Sequence, residues 1–268
     1  MTIVIKMGDR VINSVMSEST LNDLAKINHQ APTVLVHGGG DTVTNVAEKL
    51  GIPQKFVTSP EGFRSRYTDS ETMQIFTMVM AGKINKEIVR HLQSRKIPAV
   101  GLSGLDGGLI RAERKQKLIV KDERGRKRII EGGYTGKITH IDSSLLQVLL
   151  TSGYVPVIAP IALGSENESL NLDGDRTAAY VAGSLRAELL LLLTDVEGVS
   201  IEGSVVSRMN ASEAKRKMPD LGPGMITKMY AALEALSMGV SKVAIAPGRR
   251  ENPFTAAIQE QAGTMIEP

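Results

Sequence analysis

Short runs of β-branched and aliphatic residues alternate along the chain with longer amphipathic segments. The apolar runs cover residues 2–6, 33–37, 98–102, 154–159, 187–195 and 241–246, and short continuous runs of this kind are typical of buried strands. The segments between them predict helices over residues 18–28, 42–50, 70–93, 142–152, 176–185, 211–217 and 225–238. This alternation predicts an α/β fold in which helices cover both faces of a mostly parallel sheet.

Two segments interrupt the alternation. Residues 117–133, KLIVKDERGRKRIIEGG, have two arms of alternating apolar residues around Glu123, Arg124 and Gly125, which predicts a β-hairpin that projects from the sheet. Residues 163–175 are rich in Gly, Ser, Asn and Asp. We interpret them as the boundary between two lobes of a single domain, the first over about residues 1–163 and the second over about residues 164–268.

The composition is that of an ordinary globular protein. Of the 268 residues, 42% are hydrophobic and 23% are charged, enough for a sizeable core. The chain has no Cys, which excludes disulfides, thiolate metal sites and a cysteine nucleophile and favours the cytoplasm. The most apolar run, residues 189–193, is far shorter than the roughly 20 residues that cross a bilayer. We therefore expect a cytoplasmic protein with neither a signal peptide nor a membrane partner.

Positive charge is concentrated in one segment. Residues 111–130 hold nine Lys or Arg and three acidic residues, whereas the whole chain carries only +3. An island of this kind predicts an acidic partner, although a solvated basic hairpin has the same pattern. A nucleic-acid-binding module is the non-enzymatic alternative; it would normally interleave aromatic side chains for stacking, and residues 111–130 contain none.

A glycine run follows the second predicted strand. His37 is followed by Gly38, Gly39 and Gly40, and then by a predicted helix. Glycines allow a ligand to approach the backbone, and a helix start presents free N–H groups that suit a phosphate. A tight turn without a ligand fits the same letters, and neither a Walker loop nor a dinucleotide fingerprint is present.

Other polar residues stand where predicted strands end or helices begin. Lys6 ends the first strand, Thr194 and Asp195 end the fifth, and Lys228 follows a Gly- and Pro-rich turn. Asn171, Asp173 and Asp175 alternate just before an Ala-rich helix. The carboxyl edge of a parallel sheet is where ligands bind, so these residues are candidates for a site. Taken singly, each also fits a surface lysine or a helix cap.

The order of these motifs resembles the amino acid kinase family, and within it the acetylglutamate kinase branch. The series runs from Lys6-x-Gly8 through HGGG, Asn171-x-x-x-Asp175 and TDVEGV to GPGMITK, and so covers essentially the whole chain. The resemblance implies an open αβα sandwich that binds an acceptor carboxylate in its first half and ATP with Mg²⁺ in its second. It also implies a homodimer formed through the helix at residues 70–93.

The resemblance also implies roles for individual residues. Lys6 and Lys228 would clamp the ATP phosphates, Asp175 would hold both lysines, and Mg²⁺ would sit on the phosphates without a side-chain ligand. The backbone around the phosphates and the nucleotide would come from Gly8, Gly38, Gly39, Gly40, Thr194, Asp195, Gly198 and Met225. One departure is Asp9, where the family usually has a second glycine; Arg10 is the nearest candidate to neutralise it.

Residues 59–86 bear on the acceptor. GFRSRYTD, at residues 62–69, and MVMAGKINK are similar to the kinases of carrier-protein-dependent lysine and arginine biosynthesis. That similarity implies an acceptor, 2-aminoadipate or glutamate, attached to the small acidic protein LysW, with Arg64, Arg66 and Asn171 contacting the acceptor. The basic segment would then dock the carrier through Arg111, Arg114, Lys115, Lys117, Arg124 and Arg126. A kinase of free N-acetylglutamate is the enzymatic alternative.

Overall fold

The computed structural model describes residues 2–9 and 17–268. Its strands are β1 (Ile3–Met7), β2 (Thr33–His37), β3 (Lys55–Thr58), β4 (Arg64–Tyr67), β5 (Ala99–Ser103), β6 (Ile110–Arg114), β7 (Lys117–Lys121), β8 (Lys127–Glu131), β9 (Gly136–Ile141), β10 (Val155–Ala159), β11 (Ile161–Leu163), β12 (Ser169–Asn171), β13 (Leu189–Thr194), β14 (Ser200–Ile201), β15 (Ser204–Val205), β16 (Arg208–Asn210), β17 (Lys242–Pro247) and β18 (Thr264–Glu267). Its α-helices are α1 (Glu18–Gln30), α2 (Gly40–Lys49), α3 (Ser70–Thr77), α4 (Asn85–Ser94), α5 (Ser144–Thr151), α6 (Gly174–Ser184), α7 (Ala211–Lys217), α8 (Met225–Ser237) and α9 (Pro253–Ile258). Within that part of the chain, no helix is long and apolar enough to cross a membrane.

An eight-stranded sheet forms the centre of the molecule, in the order β16-β18-β17-β13-β1-β2-β10-β5. All six strands predicted from the apolar runs lie in it and pair in parallel, whereas β18 runs antiparallel to β17. Because successive side chains of a strand alternate between faces, β1 sends Ile3 and Ile5 into one hydrophobic core and Val4 into the other. The mostly parallel sheet with helices on both faces is therefore confirmed.

A smaller layer stands beside the carboxyl edge of the main sheet. Strands β12, β11, β6 and β9 form a four-stranded sheet, and β7 and β8 form the predicted hairpin. The hairpin pairs from Lys117 with Glu131 to Lys121 with Lys127, and Gly125 in its loop has a positive φ of 74°. A second hairpin, β3–β4, lies next to β7. The predicted projecting hairpin is confirmed, and β3–β4 adds a neighbour that the apolar pattern did not indicate.

The helix predicted over residues 70–93 is continuous but not uniform. A π-helical segment, Met78–Ile84, separates α3 from α4. Met80 and Ile84 in this segment face Gly39, where an added Cβ would meet Ile84 Cδ1 at 2.1 Å and Met80 Sδ at 2.7 Å. The wider π-turns therefore pack against the glycine turn, and π-segments of this kind are frequent at functional sites.

A buried aspartate joins the two ends of the chain. Asp23 in α1 is fully buried and accepts hydrogen bonds from the backbone N–H groups of Phe254 (2.9 Å) and Thr255 (3.1 Å) and from the Thr255 hydroxyl. These donors belong to the first turn of α9, whose N–H groups have no partner within the helix. Asp23 therefore caps α9 from a distant helix.

Replacing Asp23 with Ala is expected to lower the free energy of unfolding by about 2–3 kcal/mol, because it leaves several buried donors unpaired. Asp23→Asn, which keeps one acceptor oxygen, is expected to lose less. Urea denaturation followed by circular dichroism measures both values. Equal stability of the wild type and Asp23→Ala would show that the cap contributes nothing.

Candidate active site

Lys6 is placed by the central strand of the sheet. It lies in β1, paired with Val36 on one side and Leu192 on the other, and its side chain is only 9% exposed. It shares a strand face with Val4, the face that packs against α6. Strand geometry therefore sends the ammonium group toward the first turn of α6, which is where Asp175 stands.

Asp175 bridges Lys6 and Lys228. The Nζ of Lys6 forms an ion pair with Oδ1 at 2.8 Å, and the Nζ of Lys228 donates a hydrogen bond to Oδ2 at 3.0 Å. The three side chains are 6–13% exposed. Lys228 comes from the first turns of α8, which packs along α6. Residues separated by most of the chain thus form one buried cluster, with two positive charges for each negative one.

Burial and the charges within the cluster have opposite effects on the pKa values of Asp175 and Lys6. Burial raises the pKa of Asp175, but the two lysines outweigh it and lower the pKa to about 2. Burial lowers the pKa of Lys6, yet the attraction and hydrogen bond of Asp175 leave it raised overall. The pKa of Lys228 is lowered by burial and by repulsion from Lys6. Near neutral pH the cluster therefore carries a net positive charge, which suits an anion.

The glycine turn borders this cluster. Gly38 donates to the Met7 carbonyl at 2.8 Å, so the turn is tied to the end of β1. His37 is fully buried, and burial lowers its pKa to about 4. Its neutral ring contacts the Gly38 carbonyl through Nδ1 at 2.8 Å and the Asn85 amide through Nε2 at 3.2 Å. Because Asn85 supplies an N–H, the geometry fits the tautomer with the proton on Nδ1.

The side chain of Asp9 lies at the N-terminus of α2. Its carboxylate accepts a hydrogen bond from the Asp41 backbone N–H, which the helix itself leaves unpaired. Burial raises the pKa of Asp9, with Asp41 adding repulsion. The acidic side chain that stands in place of the usual second glycine is therefore held by the helix start. Arg10, its predicted partner, lies outside the described residues.

A cleft of about 640 Å³ opens beside the lysine cluster. Its walls include Lys6, Gly38–Gly40, Asn171 and Arg64, together with apolar residues of both hairpins. The predicted acceptor residues differ in what they already bind. Arg66 is 7% exposed and donates to Gln54, to the Gly40 carbonyl (2.7 Å) and to the Thr44 hydroxyl (2.9 Å). Arg64 is exposed and stacks on Phe56 at 4.5 Å.

The model of the amino acid kinase family matches residues 1–247. The chain belongs to this family. It is 54% identical over 98% of both chains to a Cenarchaeum symbiosum (strain A) protein named "Putative LysW-aminoadipate/LysW-glutamate kinase". It is 46% identical, again over 98% of both, to the LysW-aminoadipate/LysW-glutamate kinase of Saccharolobus solfataricus. Among solved structures, smu.665 of Streptococcus mutans UA159 superposes with a TM-score of 0.81 at 24% identity over 99% and 98% of the two chains.

The predicted nucleotide residues Thr194, Asp195, Gly198 and Met225 do not line the cleft. They lie at the carboxyl end of β13, in the following loop and at the start of α8. A Cβ added at Gly198 would lie only 2.9 Å from the Thr264 hydroxyl oxygen. The absence of a side chain at this position therefore allows β18 to pack closely.

The six predicted docking residues differ in their exposure and in the contacts that they make. Arg111 and Lys117 are exposed on β6 and β7, and Arg124 lies at the hairpin tip. Arg126 at the tip pairs with Asp122 at 3.1 Å. Two others turn inward: Arg114 stacks on Tyr134 at 4.2 Å and donates to the Gly133 carbonyl, and Lys115 lines the cleft.

Several residues of this site have no clear signal in the sequence. Asn85 also donates to the Val157 carbonyl at 2.9 Å and so joins the glycine turn to β10. Its only sequence signal is its place in MVMAGKINK. Tyr134 and Thr68 are joined by a backbone hydrogen bond of 2.7 Å, and the Thr68 hydroxyl accepts from Asn171 at 2.9 Å. These contacts depend on the approach of distant segments, which hydrophobic patterning does not encode.

Proposed function

We propose that this amino acid kinase transfers the γ-phosphoryl group of ATP to the distal carboxylate of 2-aminoadipate or glutamate carried by LysW, giving an acyl phosphate. The observation that carries the proposal is the pair of buried lysines bridged by Asp175 beside the glycine turn. The net positive charge of this lysine–aspartate cluster, at the carboxyl edge of a parallel sheet, suits a polyphosphate. The names of the relatives supply the class of acceptor.

The chemistry needs little from the protein beyond charge and position. A carboxylate oxygen attacks the γ-phosphorus, the bond to the β,γ-bridging oxygen breaks, and ADP leaves with the electron pair. No proton moves, because a carboxylate is already ionised near neutral pH. In this proposal Lys6 and Lys228 neutralise charge that spreads over the phosphoryl oxygens, and backbone N–H groups at Gly8, Gly39 and Gly40 fix the phosphates. The Gly38 N–H, which donates to the Met7 carbonyl, holds the turn in place instead.

The two halves of the chain divide the substrates between them in this proposal. Thr194, Asp195, Gly198 and Met225 would contact the nucleotide from the second half, and Arg64 and Asn171 would contact the acceptor from the cleft. The described residues hold no cluster of His, Cys, Asp or Glu suited to a metal ion. In this proposal Mg²⁺ would be held by the phosphates, as the family resemblance implies, and would neutralise part of their charge.

The exposed side chains of the β7–β8 hairpin suit an acidic carrier. Lys117 and Arg124 are exposed, and the cross-strand pair Ile119 and Ile129 is 55% and 68% exposed on the same hairpin. Positive charge around an exposed apolar pair can bind an acidic protein and steer its approach. Reversing the charges of Lys117 and Arg124 should then raise KM for the carrier-linked acceptor and flatten its salt dependence.

A comparison of acceptors tests the proposed function. ADP release is measured with MgATP and each of LysW-linked 2-aminoadipate, LysW-linked glutamate and free N-acetylglutamate. We expect kcat/KM to be highest with a carrier-linked acceptor. Turnover with N-acetylglutamate alone would assign the chain to free small-molecule acceptors, and turnover with none of the three would refute the proposal.

The lowered pKa of Lys228 predicts a pH effect. Lysine must be charged to bind phosphate, and Lys228 loses its proton at a lower pH than an ordinary lysine. The value of kcat/KM for ATP, which reports the free enzyme, should therefore fall as the pH rises toward the usual lysine range near about 10.4. In Lys228→Arg, whose guanidinium stays charged, this alkaline fall should move to higher pH; an unmoved profile would contradict the assignment.

A further inference from the structure

Lys115 stands at the base of the hairpin, with its side chain on the cleft. Its backbone N–H donates to the Thr135 carbonyl at 2.9 Å, and Gly132 donates to the Gln116 carbonyl at 2.9 Å. A Cβ at Gly132 would lie 1.5 Å from the Lys115 carbonyl oxygen, so only glycine allows this close approach. The base of the hairpin is thus fixed, and the half-buried Lys115 side chain lines the cleft.

In the described part of the chain, Lys115 lacks the hydrogen-bonding or ion-pair partners that Lys6, Arg66 and Arg176 have in the cleft. Lys6 is paired with Asp175, and Arg176 binds Glu234 through two hydrogen bonds of 2.8 and 2.5 Å. Within residues 2–9 and 17–268, the Lys115 ammonium group has neither a hydrogen bond nor an ion pair. Burial lowers its pKa, and repulsion from Arg176 adds to this effect while attraction from Asp173 opposes it. A partly desolvated and unpaired cation of this kind attracts an anionic ligand.

A second unpartnered group lies beside Lys115. The side-chain oxygen of Thr135 is buried without a hydrogen bond to any described residue, and Thr135 also lines the cleft. Thr135 is bridged through its backbone to Asn171, the predicted acceptor residue. Unsatisfied buried polar groups are rare in folded proteins. An ammonium and a hydroxyl on two segments joined by a backbone hydrogen bond, both without partners, can together bind a carboxylate.

We propose that Lys115, assisted by Thr135, binds the carboxylate that receives the phosphoryl group. This inference rests on the proposed kinase function and assigns Lys115 to the reaction rather than to carrier docking. The acceptor carboxylate and the triphosphate are both anions, and transfer requires their oxygens to come close. Lys115 on the acceptor side offsets this repulsion, while Lys6 and Lys228 act on the phosphate side. Arg64 remains available for another part of the acceptor.

Lys115→Met tests this role, with Lys117→Met as the matched control on the same hairpin. Each variant is assayed with carrier-linked acceptor and with a free N-acetyl acceptor at low and high salt. Lys115→Met is expected to lower kcat/KM by about 10²-fold for both acceptors at either salt concentration, with KM for ATP little changed. Lys117→Met should affect only the carrier-linked acceptor. A Lys115→Met loss that is confined to the carrier-linked acceptor and disappears at high salt would overturn the proposal.

A labelling measurement keeps the test independent of turnover. Acetic anhydride modifies lysines of the wild-type protein in the presence of a magnesium-bound non-hydrolysable ATP analogue, with or without the dicarboxylate adipate, and mass spectrometry reads each site. Adipate should protect Lys115 and leave Lys117 labelled. Equal labelling of Lys115 in both samples would refute the carboxylate site even if the enzyme is a kinase. Protection without turnover of any acceptor would support the site and refute the proposed function.

Discussion

Lys6→Met is expected to lower kcat by about 10³-fold or more while the protein stays folded. The side chain has little exposure and supplies one of the two positive charges beside the glycine turn, where a low effective dielectric strengthens its action on developing negative charge. Methionine has a similar length and no charge, so the cavity is filled and Asp175 keeps Lys228 as a partner. Single-turnover phosphoryl transfer measures the loss.

Lys26→Met is the matched control for Lys6→Met, because Lys26 is exposed on α1. It should leave kcat unchanged. Thermal unfolding of both variants establishes that they are folded. If Lys6→Met keeps more than about a tenth of the wild-type kcat, Lys6 is not a transition-state contact, since such contacts are usually worth at least about 10²-fold.

Asp175→Asn is expected to cost both stability and activity. Removing one partner of a buried ion pair typically lowers the free energy of unfolding by about 3–5 kcal/mol, and here two ammonium groups would be left facing one amide. Lys6 and Lys228 would also lose their alignment, so kcat should fall by at least about 10²-fold. Urea denaturation and single-turnover kinetics give the two values.

The pH dependence of stability isolates the contribution of Asp175. Its folded pKa of about 2 lies below the usual value of about 3.9 for an unfolded chain. The stabilisation is therefore complete above about pH 4 and is lost as the pH falls toward 2. The stability difference between the wild type and Asp175→Asn should shrink over that interval. Asp220→Asn, at an exposed aspartate outside the cluster, is the control and should change stability little. A pH-independent difference for Asp175→Asn would contradict the ion-pair assignment.

The parts of the fold that were predictable are those with a strong local signal. Six buried strands and most helix bounds follow from apolar periodicity, and the hairpin follows from alternation around Gly125. Strands β3 and β4 are short and poorly buried, and β11 and β12 have three residues each, so periodicity does not reveal them. The π-segment was also missed, because its wider turns reflect packing against Gly39 rather than any local sequence preference.

The candidate site shows the same division. The resemblance to the amino acid kinase family implied that Lys6, Asp175 and Lys228 act as a group, and the structure brings them within hydrogen-bonding distance. Lys115 could not be separated from the other basic residues of the segment, because its burial depends on how the hairpin packs over the cleft. The contacts of Arg66 were also not predictable, because its guanidinium donates to residues of α2 and of the following loop that are distant in sequence.

A crystal structure with MgADP, aluminium fluoride and a carrier-linked acceptor would test the central claim most directly, because aluminium fluoride stands in for the phosphoryl group in transfer. We predict that Lys6 Nζ and Lys228 Nζ both lie within about 3 Å of the fluoride or the β-phosphate oxygens, with Asp175 still between them. A complex in which the fluoride group binds elsewhere, or in which either ammonium group turns away from it, would contradict the phosphoryl-transfer role of this cluster.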